Sequence, residues 1–159
     1  MNLFLAGVAA TLVSIAPAVS AADAPASATR SYVLRLRPGQ DLKQEILRFA
    51  KARDLKAAAI VTCVGSLTRA VIRYADQKDG VALDGRFEIV SLVGAFTGDG
   101  GHLHIAVSDK DGRTVGGHLM DGSTVYTTAE IVITELVGLR FTREKDAQTT
   151  YDELVVRAR

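Results

Sequence analysis

Every imidazole of the chain falls in one stretch, "GGHLHIAVSDKDGRTVGGHLM", residues 100 to 120, which carries His102, His104 and His118. Imidazole does two kinds of chemistry near neutral pH: it moves protons and it ligates metals. Three imidazoles converging on one ion would leave a coordination position open, as in catalytic rather than closed structural zinc sites. An open position suits a substrate or an anion. The competing reading is a polar cluster, or a small-molecule pocket, that holds no metal.

Whether the three can converge depends on the element that carries them. "GHLHIAVSD" and "RTVGGHLM" are joined by Lys110-Asp111-Gly112, which suits a three-residue hairpin loop: a type I turn closed by a left-handed glycine. In that register Asp109 opposes Arg113, and His104 directly faces His118. His102 lies two residues before His104, so it shares the face and sits diagonal to His118. Cβ atoms of directly opposed residues lie about 4.5–5.5 Å apart and diagonal ones about 7–8 Å. A slip of one residue would turn His118 to the other face. The metal expected is divalent, zinc first among the ions that imidazole suits. Gly98, Gly100, Gly101, Gly116 and Gly117 flank the histidines and mark either close backbone approach or ordinary loop flexibility.

Glu130, in "VYTTAEIVI", is the one other residue singled out for chemistry. A carboxylate among apolar strand neighbours needs a partner. It could act as an acid/base, a fourth ligand or an acceptor for an imidazole N–H, or it could pair with an arginine across a subunit interface. Tyr126, Thr127 and Thr128 place hydroxyls nearby in sequence. No nucleophile elbow, P-loop, dinucleotide fingerprint or Ser-His-Asp arrangement occurs. The single cysteine, Cys63, forbids an internal disulfide, and its setting in "AAAIVTCVG" reads as a buried small hydrophobe.

The rest of the chain supplies the frame. "SYVLRLRPG" alternates and ends in a Pro-Gly turn, so it reads as a strand. Asp41 with Gln44 makes a capping-box pattern, and Leu42, Ile46, Phe49 and Ala50 recur at helical spacing to about Arg53. "KAAAIVTCV" reads as a central strand buried on both faces and broken at Gly65-Ser66. "LTRAVIRYA", "GRFEIVSLVGAF", "STVYTTAEIVITEL", "GLRFTRE" and "YDELVVR" read as further strands. Eight or nine strands and one main helix predict an α+β domain: a mostly antiparallel sheet with that helix and short helical pieces packed on it.

Lys plus Arg total 19 against 18 Asp plus Glu, with no basic stripe, which argues against nucleic acid as the partner. No charged residue precedes Asp23. Leu3 to Ile15 are apolar, and Val19-Ser20-Ala21 fits a small-residue cleavage site. Residues 1–21 therefore read as a secretory signal peptide, without the usual basic start, and residues 22–29 as a loose tail before a domain at 30–157. The expected location is the periplasm or the exterior, with no stable membrane insertion.

"GRFEIVSLVGAF", "GGHLHIAVSDKDGRTVGGHLM" and "VYTTAEIVI" closely resemble the PPC (plants and prokaryotes conserved) domain family, and residues 34–73 resemble its first half. The likeness runs from about Thr29 to Val156. It implies a homotrimer of α/β domains with mostly antiparallel sheets. It also implies that histidines of the H-x-H and G-G-H elements, here His102, His104 and His118, hold a metal, as they do in some stand-alone bacterial members. In plant relatives the domain follows AT-hooks. Their Arg-Gly-Arg-Pro core is missing here, so a DNA-binding regulatory role would rest on the family name alone. The functions left in play are an exported metal- or ligand-binding trimer without a named reaction, and a hydrolase or lyase using metal-activated water.

Overall fold

The computed structural model describes residues 24–159; the expected signal peptide lies outside them. The order is β1 (Thr29–Leu36), α1 (Leu42–Ala52), β2 (Ala58–Arg73), β3 (Val81–Thr97), β4 (Gly100–Ser108), β5 (Thr114–Leu119), β6 (Thr124–Leu136), β7 (Leu139–Lys145) and β8 (Asp152–Ala158). Six strands form one sheet in the order β1-β6-β2-β3-β4-β5, and the end of β2 also pairs β5. The β2-β3-β4-β5 part thus curls back on itself. β7 and β8 form a separate two-stranded sheet. All pairings are antiparallel, as the α+β reading expects.

α1 starts where expected. The Asp41 side chain accepts a hydrogen bond from Gln44 N at 2.9 Å, which satisfies one of the free N–H groups of the first turn. The same carboxylate accepts from Gly122 N and ties the helix to the β5–β6 turn. Leu42, Ile46 and Ala50 are fully buried and face the sheet. They join one core with Leu67, Ile72, Leu92, Phe96, Ile105, Val107, Ile131 and Ile133.

Two expectations about β2 need correction. The strand does not end at Gly65-Ser66; it runs through them to Arg73. Gly65 takes φ +146°, and a Cβ there would lie 2.1 Å from the Thr128 carbonyl oxygen. The glycine therefore marks an irregularity in the pairing with β6, where the register shifts between Gly65 and Leu67. Nor is β2 buried on both faces. Ile60 and Cys63 point inward, whereas Val61 and Val64 are each 57% exposed.

Candidate metal centre

The β4–β5 hairpin closes as its loop composition requires. Asp109 N donates to Arg113 O and Gly112 N to Asp109 O, both at 3.0 Å. Asp109 Oδ1 accepts from the backbone N–H groups of Asp111 and Arg113, both at 2.9 Å. Gly112 has φ +77°, which glycine adopts without steric penalty. The register follows: Ser108 pairs Thr114, and His104 pairs His118.

On β4 the inward residues are Leu103, Ile105 and Val107, so His102 and His104 are driven to the outer face. On β5 Leu119 points inward and His118 outward. Outside the hairpin, His118 pairs Arg73 of β2, while His104 pairs Val93 and His102 pairs Ala95 of β3. Gly94 lets β3 pass under this point: with φ +142°, its missing Cβ would lie 2.0 Å from the His102 carbonyl oxygen.

The three imidazoles meet. Ring centroids lie 4.8 Å apart for His102–His104 and His102–His118, and 4.4 Å for His104–His118. His102 Nε2 is 3.0 Å from His104 Nε2. One ligand nitrogen from each residue lies within 4.8 Å of the other two. A tetrahedral ion with bonds of about 2.0–2.1 Å spaces its ligand nitrogens about 3.3 Å apart, so small ring rotations suffice for the set to hold one. His102 and His104 are exposed and His118 is half-buried.

Two of the imidazoles, His118 and His102, resist protonation. His118 is lowered to about 4, first by burial, then by Arg73 and the other two imidazoles. His102 is also lowered, by burial, then His104 and Arg143; Glu153 opposes this and Arg73 adds to it. Neutral imidazole is the form that ligates a metal.

Glu130 is not brought to the histidines. Ala129, Ile131 and Ile133 of β6 face the core, which turns Glu130 outward and leaves it exposed, beside Arg35 of β1 and Val64 of β2. The carboxylate that does need a partner is Glu135, 5% exposed. Tyr32 Oη donates to it at 2.8 Å, and Arg30 and Arg159 approach at 3.4 and 3.9 Å. Strand parity could have found it, since Glu135 shares the face of Ile131 and Ile133. Cys63 is buried, as expected, and burial pushes its thiol up to about 12.

Sequence reasoning also missed a cavity of about 1130 Å³ beside the centre. His102 and His118 form part of its wall, and the β7–β8 hairpin lines it with Phe141, Arg143 and Leu154 among others.

The model of the Plants and Prokaryotes Conserved domain matches residues 24–137. The chain is 50% identical over 130 residues, 82% of its length, to a bifunctional protein GlmU of Synechococcus sp. (strain JA-3-3Ab), of which the match covers 21%. It thus spans about a fifth of the length of that protein and of its counterpart in another Synechococcus strain. A hypothetical protein from Salmonella superposes with a TM-score of 0.84 at 47% identity, covering 85% of this chain and 98% of the other. A metal-containing protein from Archaeoglobus fulgidus superposes with a TM-score of 0.66 at 30% identity, covering 79% and 93%. With the family model spanning most of the sheet and all three histidines, the chain belongs to the Plants and Prokaryotes Conserved domain family.

Proposed function

We propose that the protein is an exported homotrimer in which His102, His104 and His118 of each chain bind one divalent metal, zinc in the first instance, with a position left for a small ligand. The observation that carries this is the convergence of three imidazoles on one outer face. The name of the Archaeoglobus relative, a metal-containing protein, agrees with it. Trimerisation is supported by valines left bare on the sheet: Val33 of β1, Val61 and Val64 of β2, and Val90 and Val93 of β3. Export rests on the apolar leader before Asp23.

The geometry supports this reading. The hairpin sets the spacing of His104 and His118, burial foremost holds the His118 imidazole below its ordinary value, and the adjoining cavity borders His102 and His118. A divalent ion held there would supply Lewis acidity toward that ligand. Hydrolysis or a lyase-type step is the second reading, favoured by the cavity beside the centre. It assigns no step to Glu130, which stands apart from the histidines.

The test is elemental analysis after exposure to zinc and removal of loose metal. Wild type should hold one ion per chain, and His102→Ala, His104→Ala and His118→Ala should each lose most of it, His104→Ala the most, because it is directly opposite His118 and two residues from His102. A wild type without stoichiometric metal, or three variants that retain it unchanged, would show the histidines to be a polar cluster.

A further inference from the structure

Two arginines flank the imidazoles from different parts of the fold. Arg73, at the end of β2, is the register partner of His118. Arg143 comes from β7, beyond residue 137 where the family match ends. Both line the cavity with His102 and His118. Neither guanidinium forms an ion pair among the described residues. Arg73 donates to the Gln77 carbonyl at 3.1 Å and Arg143 to the Asp152 carbonyl at 3.4 Å, both backbone oxygens. Lys43, a third cation of the wall, is engaged by Asp121 at 3.1 Å. Asp76, Asp99, Asp152 and Glu153 also border the cavity but leave the two arginines without a carboxylate partner.

Part of the wall is apolar: Met120 follows β5, and Phe141 and Leu154 come from the β7–β8 hairpin. A cavity of about 1130 Å³ is large for an inorganic anion and in the range that takes a whole small molecule. An arginine presents a planar fork of donors that matches a carboxylate, and such charge-assisted pairs are the stronger hydrogen bonds.

From this arrangement we propose that the cavity binds a small organic carboxylate, its carboxylate held by Arg73 and Arg143 beside the histidine centre and its apolar body lying against Phe141 and Leu154. This names the ligand class for the metal site proposed above and rests on that reading for the role of the ion, while the arginine pair is a feature of the cavity itself. The β7–β8 hairpin becomes a ligand-binding wall added to the domain and not a passive tail.

The probe is benzoate, titrated by calorimetry into zinc-exposed wild type, Arg73→Met and Arg143→Met, with acetate and neutral benzamide as controls and metal content measured on each sample. Benzoate should bind wild type more tightly than either control, and each arginine variant should lose about tenfold or more in affinity while keeping its metal. Arg143→Lys should recover part of the loss, because the charge returns without the fork. No detectable benzoate binding to wild type, wild-type affinity retained in both methionine variants, or benzamide binding as tightly as benzoate would overturn the assignment, whatever the metal content. Acetate binding as tightly as benzoate would overturn its apolar part. Benzoate bound through both arginines in a wild type that takes no zinc would keep the carboxylate pocket and remove the metal centre, so the two readings fail separately.

Discussion

His118 holds its proton weakly, and that has a measurable consequence. Its value of about 4 lies below the ordinary imidazole value of about 6.5. Between these limits the unfolded chain binds more protons than the folded one, so stability rises with pH across that window. The chelated protein should therefore unfold at progressively lower temperature as pH drops from about 6.5 toward 4, and His118→Ala should flatten that dependence. A thermal melt series that is as steep in the variant as in wild type would contradict it. The same shift delays competition between protons and metal, so zinc release on acidification should be centred below 6.5. Cys63 allows a second check at this scale: buried, with its thiol raised to about 12, it should ignore a thiol reagent at neutral pH and react once the chain is unfolded. Thiol titration with and without denaturant decides it. Single residues were legible in the sequence to unequal degrees. Cys63 could be read from its apolar run. Glu130 drew attention over Glu135 because neighbours in sequence are not neighbours on a face, and only strand parity separates the two.

The β4–β5 hairpin was the most legible element, because a three-residue loop with glycine in third place leaves little choice of register. Its glycine can be tested without touching a ligand. A Cβ at Gly112 would meet nothing within 4 Å, so the cost of Gly112→Val is backbone strain alone, about 1–2 kcal/mol for a left-handed residue. Zinc affinity should fall through a loosened register while every imidazole remains. A calorimetric zinc titration indistinguishable from wild type would show that the loop does not set the site. The helix was equally readable, and its cap can be measured. Asp41→Ala should lower unfolding stability by about 1–2 kcal/mol, at the upper part of the usual capping range, because the carboxylate also holds Gly122 N. Denaturant unfolding gives the figure; a loss near zero would mean that solvent replaces both bonds. β2 was less legible. Gly65 interrupts a hydrophobic run just as a turn would, and composition alone does not distinguish a bulge from a break.

For the molecule as a whole, the run of strands around one helix announced an α+β domain, but three long-range features could not be read from the chain. The return of β2 to pair β5 depends on curvature accumulated over two long strands. The cavity depends on where β7 and β8 fold back, far from the histidines in sequence. The bare valines follow from which face the core takes, and they have a consequence for assembly. Val33 is 79% exposed, and Val61, Val64, Val90 and Val93 between 51% and 58%. Val33 pairs Val132, which also pairs Thr62 next to Val61, and Val93 pairs His104, so bare valines recur on β1, β2 and β3, the last of them beside the histidine cluster. β-Branched residues stabilise a strand only when their faces are covered, and contiguous bare apolar surface marks an interaction site. Cyclic association of identical chains covers such a surface repeatedly. Wild type should therefore scatter light as three chains at micromolar concentration, and Val61→Asp together with Val93→Asp should leave a single chain, since a carboxylate in an apolar interface is costly without a partner. Circular dichroism must show the strand content retained, so that loss of assembly is not loss of fold. A wild type that scatters as one chain, or a folded double variant that remains three, would mean that this face meets something other than a second copy of the protein.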